Sequence, residues 1–196
     1  MNQPLTRRMA AALAASSVIT LASASAAPKP SAVAAWAPDK ALAATLGPPA
    51  DLAGYKMRLP AGTTADLKKD ETRGPVRARF FSVRRADNAG PTILIAVTTV
   101  APGMVNKDTA QQLLDGDGYT KGKADIIETP PQAGRIHGLQ ALRQYFKYTA
   151  DGRMTHGFHY SLIDGPRLLL VVAVDEAPRS ETSLPLAEAA VLTLRK

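Results

Sequence analysis

From Asp51 onward, apolar and polar positions alternate in short runs divided by turn residues. Tyr55, Met57 and Leu59 are separated by Lys56 and Arg58, which is the period of a strand buried on one face. Pro60-Ala61-Gly62 predicts a turn after it. Residues 76–85 read as a second strand, Asp87-Asn88-Ala89-Gly90-Pro91 as a turn, and residues 92–100 as a third strand. Ile93, Leu94, Ile95, Ala96 and Val97 are apolar in succession, so that strand is expected at the centre of a sheet, covered on both faces. A helix follows, with Asn106 or Asp108 as its cap, Ala110, Leu113 and Leu114 as its stripe and Gly116 as its stop. Residues 125–128 form a short strand candidate. Residues 139–149 and 154–163 then flank Asp151-Gly152, a strong hairpin signal because a type I′ turn needs positive φ at both central positions. Asp164-Gly165-Pro166 predicts another tight turn and residues 168–174 another buried strand. Ser183 is the expected cap of a last helix over 184–194, with Pro185 in its first turn and Ala187, Ala190, Val191 and Leu194 on one face.

Together these elements predict an α+β domain with a mostly antiparallel sheet of about six strands. A helix on each face would complete a three-layer α/β/α sandwich. The domain is expected over residues 51–196. Residues 27–50 are rich in Ala and Pro and read as a linker, with Asp39 capping a short helix over 40–46. Trp36, the only tryptophan, lies in this stretch and is expected to pack on the domain surface, with a partner contact as the other reading.

Residues 1–26 change the picture from a bare fold to a compartment. Arg7 and Arg8 precede an Ala- and Leu-rich run from Met9 to Leu21, and small residues follow it. This is the three-part pattern of a cleavable signal peptide, with the preferred cut after Ala26 and a second choice after Ala24. The run is shorter than the ~20 apolar residues of a membrane span, so no stable span is expected once the leader is removed. Arg7-Arg8 also resembles a twin-arginine signal. The protein is therefore expected in the periplasm or outside the cell. It contains no cysteine, so disulfides, thiol nucleophiles and thiolate metal sites are excluded, as is a lipid anchor on a cysteine after the leader. The net charge is +7, and the leader holds two arginines and no acid, leaving the remainder near +5. Such a chain can meet anionic envelope components; nucleic acid is not expected in that compartment.

Three stretches carry a resemblance to a known family: Tyr55-Lys56-Met57-Arg58-Leu59-Pro60-Ala61-Gly62; Gly138-Leu139-Gln140-Ala141-Leu142-Arg143 leading into the Asp151-Gly152 hairpin; and the ending Leu186-Ala187-Glu188-Ala189-Ala190-Val191 with Leu194-Arg195. With the order of elements, they resemble the PsbP-like family, the fold of an extrinsic photosystem subunit that uncharacterised bacterial exported proteins share. The resemblance implies a binding role without enzymatic activity, and it brings no residue set to carry over.

No stretch of the chain spells out a reaction. His156 and His159 are three apart in an expected strand and point to opposite faces, which argues against a metal pair; His137 adjoins Gly138 in a turn. Asp115-Gly116-Asp117-Gly118 resembles part of a calcium loop, but its twelfth position is Ile126 instead of Glu. There is no G-x-S-x-G elbow. Ser161 and His159 share a strand face, the nearest approach to a nucleophile–base pair. The acid pairs Asp70-Glu71 and Asp175-Glu176 lie at element ends. Arg77, Arg79 and Arg85 share a face of the second strand. The richest constellation is the hairpin. A two-residue turn pairs Lys147 with His156, Tyr145 with Phe158 and Arg143 with Tyr160, so one face interleaves cations and aromatics. These six are the candidate binding residues, for an anionic or aromatic group. The competing reading is a sheet face under a helix, its long cations lying over apolar rings.

The sequence thus points to a non-catalytic exported accessory or binding protein of the cell envelope, its partner a protein or an anionic envelope component and no cofactor expected. Two other readings stand beside it: an envelope hydrolase with an unrecognised site, and a surface module for anionic polymer or lipid.

Overall fold

The computed structural model describes residues 33–87, 90–103 and 125–196. Eleven strands and two helices are found there: β1 (Ala34–Ala35), α1 (Lys40–Ala44), β2 (Leu46–Asp51), β3 (Lys56–Pro60), β4 (Thr63–Arg73), β5 (Val76–Arg85), β6 (Thr92–Thr99), β7 (Ile127–Glu128), β8 (Gln132–Ile136), β9 (Leu139–Ala150), β10 (Arg153–Asp164), β11 (Arg167–Glu176) and α2 (Ser180–Val191). Nine strands form one sheet in the order β1-β8-β9-β10-β11-β6-β5-β4, with β7 pairing on β9. β1 lies parallel to β8 and the other pairings are antiparallel. β2 and β3 form a separate two-stranded sheet.

The alternation at Tyr55, Met57 and Leu59 does what it predicts, since all three are buried. β5, β6, β9, β10 and β11 occupy the expected places. Asp151 and Gly152 have φ of 51° and 73°, the pair of positive values that the type I′ turn demands. The expected count of about six strands gives way to nine in the main sheet. The added ones include the edge strand β4 and the short β1 and β8. β4 runs Thr-Thr-Ala-Asp-Leu-Lys-Lys-Asp-Glu-Thr-Arg and is largely exposed, with a bulge between Leu67 and Lys69. Charges and a bulge on an edge strand discourage pairing with other chains, and they also erase the apolar alternation by which a strand is read.

One face of the sheet carries the main core. Phe81, Val83, Ile93, Ile95, Phe158, Tyr160, Leu169, Val171 and Ala173 pack there against Ala187 and Val191 of α2, with Leu192, Leu194, Met57 and Leu59. The opposite face holds a smaller cluster of Phe146, Tyr148 and Val172. β6 is central, between β11 and β5; Ile93 and Ile95 are buried on one face, and Leu94 on the other is 36% exposed. The helix expected over residues 106–116, which was to supply the third layer, lies outside the described residues, as do the leader and the Asp115–Gly118 motif.

The last helix starts earlier than its sequence suggests, at Ser180, and ends at Val191. Ser183 is not its cap. Its hydroxyl donates to Asp175 Oδ2 at 2.6 Å, and Arg179 donates to Asp175 Oδ1 at 2.7 Å through Nη2, so the buried Asp175 at the end of β11 holds the first turn. The short helix after Asp39 forms as expected, with Asp39 Oδ1 accepting from the amides of Ala41 and Leu42 at 2.8 and 3.0 Å. The stretch expected as a linker adds more than that helix: β1 joins the main sheet through β8, and β2 pairs with β3. Among the described residues, no helix is long and apolar enough to cross a membrane.

Candidate functional site

The hairpin pairs as its sequence predicts: His156 faces Lys147, Phe158 faces Tyr145 and Tyr160 faces Arg143. All six side chains therefore share one sheet face. That face is the one on which α2 lies, and the helix divides the six into two groups.

Arg143, Tyr145, Phe158 and Tyr160 form the inner group. Glu188 of α2 reaches down onto them, and its Oε1 accepts from Tyr145 OH at 2.6 Å, from Tyr160 OH at 2.5 Å and from Arg143 Nη1 at 3.3 Å. Tyr145 and Tyr160 are diagonal neighbours across the strand pair, which lets both hydroxyls reach one carboxylate. Phe158 stands edge-on to both rings, with centroids 6.3 Å from Tyr145 and 5.6 Å from Tyr160. Trp36 closes the arrangement from the N-terminal side. Its ring is edge-on to Tyr160 at 5.8 Å, and the Arg143 guanidinium lies 4.4 Å from its centroid, a cation–π contact. A Cβ at residue 134 would stand 2.3 Å from the Trp36 ring, so only Gly134 allows the indole to lie on β8. The inner group is thus a helix-covered core with a half-buried polar knot. Burial and the Glu188 carboxylate push the Tyr145 hydroxyl up to about 12; the same two causes raise Tyr160 further. Neither phenol is poised to give up a proton near neutral pH.

Lys147 and His156 form the outer group, toward the turn. His156 Nδ1 lies 2.9 Å from Ser180 Oγ at the start of α2. Beyond it the helix no longer covers the sheet, and a cleft of about 460 Å³ opens, bordered by Tyr145, Lys147, His156 and Leu184, with Ile127 on its rim. Ile127 sits on β7 directly opposite Lys147 and is 60% exposed, the most exposed of the large apolar side chains among the described residues.

The remaining candidates are dispersed. His159 lies on the opposite sheet face from His156, fully buried, with Nε2 2.9 Å from Gln144 Oε1. Ser161 shares that face and is also fully buried, and no hydrogen-bond partner reaches its Oγ among the described residues. Ser161 also borders a cleft of about 230 Å³ that Val33, Gly134 and Leu142 line. His137 occupies the β8–β9 turn with φ of 45°. Arg77 and Arg79 both pair with Asp70, at 2.8 and 3.2 Å, and Arg85 pairs with Asp87 at 3.1 Å. These three cations are therefore occupied by neighbouring carboxylates.

Sequence reasoning missed Glu188, which organises the inner group. It is one polar residue in an Ala-rich helix, and only the fold shows it aimed at the sheet. It also missed Ile127 and Leu184, whose role depends on where the helix ends its cover.

No protein-family model matches the chain, and no curated protein matches it. Solved structures do. Cyanobacterial PsbP (CyanoP) from Synechocystis sp. PCC 6803 superposes on 72% of this chain and 86% of its own, at 12% identity and a TM-score of 0.53. The fold is PsbP-like. LpqN of Mycobacterium tuberculosis, described as involved in cell envelope biogenesis, matches 65% of this chain and 80% of its own at 16% identity and a TM-score of 0.43. PA94 of Pseudomonas aeruginosa, a protein of unknown function, matches 76% and 95% at 16% identity and a TM-score of 0.45. The PsbP-like fold meets the expectation drawn from the residue patterns. At these identities the likeness extends to the fold alone.

Proposed function

We propose that this is an exported, non-catalytic accessory protein of the cell envelope that binds a partner protein through the outer end of the β9–β10 hairpin. The three-layer form of the fold and removal of residues 1–26 belong to the same proposal. The observation that carries the binding reading is the division of the hairpin face. Its inner half is spent on packing under α2, and its outer half opens as the cleft bordered by Tyr145, Lys147, His156 and Leu184. An exposed isoleucine beside a cation suits a segment that carries an apolar side chain next to an acidic one. The basic balance of the chain after residue 26 favours an acidic partner as well.

The test replaces Ile127 with a photoreactive residue in the protein expressed in its own host, with Lys68 on β4 as the control position. A crosslinked species specific to position 127, and diminished by Lys147→Glu, is the expected result. Identical patterns from the two positions, or a product that Lys147→Glu leaves unchanged, would overturn the proposal. So would hydrolysis of an envelope substrate that one point substitution abolishes. Export is checked by the N-terminal sequence of the envelope-fraction protein, expected to begin at Ala27; an intact Met1 in the cytoplasmic fraction would refute it.

A further inference from the structure

A second cleft, remote in sequence from the hairpin, gathers basic side chains by the register of its strands. The chain end runs antiparallel to β3. Lys56 N donates to Arg195 O at 2.7 Å, and Arg195 N returns the bond to Lys56 O at 3.0 Å. Such a pair of residues projects both side chains to the same side. Arg58 is two residues from Lys56 and shares its face. Met57 and Leu194 point the other way and are fully buried. Lys56, Arg58 and Arg195 therefore converge on one cleft of about 280 Å³, where His137 from the β8–β9 turn also arrives. Its apolar walls are Pro38, Ala43 and Pro49.

Two features make this more than a basic surface. First, among the described residues none of the three cations is in an ion pair, whereas most of the other arginines are. The nearby carboxylates are turned to backbone amides: Asp51 Oδ1 accepts from Gly54 N at 3.1 Å, and Asp39 caps α1. Lys56 has Asp51 opposite it in β2 on one side and Arg195 on the other; like charges across a strand pair repel, and a bound anion would relieve the Lys56–Arg195 side. Second, Arg58 is held in place. Its Nε donates to Gly47 O at 3.0 Å and its Nη2 to Leu46 O, while its backbone amide donates to Thr193 Oγ1 at 2.9 Å. This leaves Nη1 of an immobilised guanidinium for a ligand.

We infer that this cleft between α1, β2–β3 and the chain end binds a phosphate group carried on a small apolar body. The held Arg58 with Lys56 and Arg195 beside it suits a phosphate, which carries one negative charge as a diester and ≈ −1.5 to −2 as a monoester, and Arg with Lys is a usual cradle for phosphate oxygens. The phosphate can belong to a soluble ester or to a lipid headgroup. The site is separate from the hairpin cleft, and its failure would leave the proposed partner binding untouched.

The test follows backbone amide NMR shifts of the purified protein during titration with inorganic phosphate and with glycerol 3-phosphate, at matched ionic strength set with chloride. Vesicles of phosphatidylglycerol with phosphatidylcholine, against phosphatidylcholine alone, form the second arm. Saturable shifts at Lys56, Arg58, Thr193 and Arg195 with the soluble phosphates support a soluble ester; binding to the phosphatidylglycerol vesicles alone supports the headgroup. In either arm the double variant Lys56→Gln/Arg195→Gln weakens binding about tenfold, a loss of about 1.4 kcal/mol. Without phosphate the melting temperature of that variant is measured beside the parent's, and an unchanged melt shows that a folding defect does not imitate the result. Absence of saturable shifts in both arms, equal response to chloride, or unchanged binding by the double variant would overturn the inference.

Discussion

The inner and outer ends of the β9–β10 hairpin are written in the same alphabet of cations and aromatic rings, but they have opposite fates. At the inner end Arg143, Tyr145, Phe158 and Tyr160 meet Trp36 and the Glu188 carboxylate, and Phe158 and Tyr160 are fully buried. Toward the turn, Lys147 and His156 keep the same alternation and the same sheet face, but α2 begins there and its cover stops. Polar hydrogen-bonding capacity is satisfied at one end and left available at the other. The contrast shows that a face rich in recognition residues is not thereby a recognition surface; the element laid upon it decides.

The division predicts that the inner end carries stability and the outer end does not. The largest effect is expected from Phe158→Ala, which should cost about 3–5 kcal/mol through a cavity in the core. Chemical denaturation measures it, and a loss below 1 kcal/mol would mean that the inner end is not packed as described. Next is Glu188→Ala, which leaves the buried Tyr160 hydroxyl and its neighbours without their acceptor. A loss of about 1–3 kcal/mol is expected, largely abolished when Glu188→Ala is made in a Tyr145→Phe/Tyr160→Phe background.

A smaller effect concerns pH. Tyr145 is raised to about 12 by burial and by its bond to Glu188, and Tyr160 is raised further by the same causes. In each the folded state holds the proton more tightly than the unfolded chain, whose tyrosines titrate near 10. Their contribution is therefore complete below about pH 10 and is lost as pH rises through the folded values. Thermal melts between pH 9 and 12 should fall more steeply for the parent than for Tyr145→Phe/Tyr160→Phe; parallel curves would break the link. The smallest effect is at the outer end. Lys147→Gln should change stability by less than about 0.5 kcal/mol while reducing the crosslink at Ile127, the signature of a residue kept for contact instead of packing.

Much of the sheet was legible because its signals are local. The Asp151-Gly152 turn sets the hairpin register within two residues, and the pairing of Lys147 with His156 follows by counting. β3 announces itself through Tyr55, Met57 and Leu59. β4 does not, because an edge strand is best protected by charges that hide its alternation. The start of α2 was misplaced for a related reason: Ser183 looks like a cap, but its hydroxyl is taken by Asp175 from β11, a partner that no local rule supplies. Trp36, expected on the surface of the domain, is partly buried because β1 pairs with β8 and Gly134 makes room for the ring.

By itself the sequence determined the places of the main strands along the chain, the register of the β9–β10 hairpin, the turn chemistry, the absence of cysteine and the basic balance of the chain. Each depends on neighbouring residues or on simple counts. The tertiary structure alone decided which end of the hairpin is open, that Glu188 collects three donors, and that Lys56 and Arg195 stand side by side. Those outcomes arise where residues tens of positions apart, and for Lys56 and Arg195 more than a hundred, are brought together, and no local pattern contains those distances.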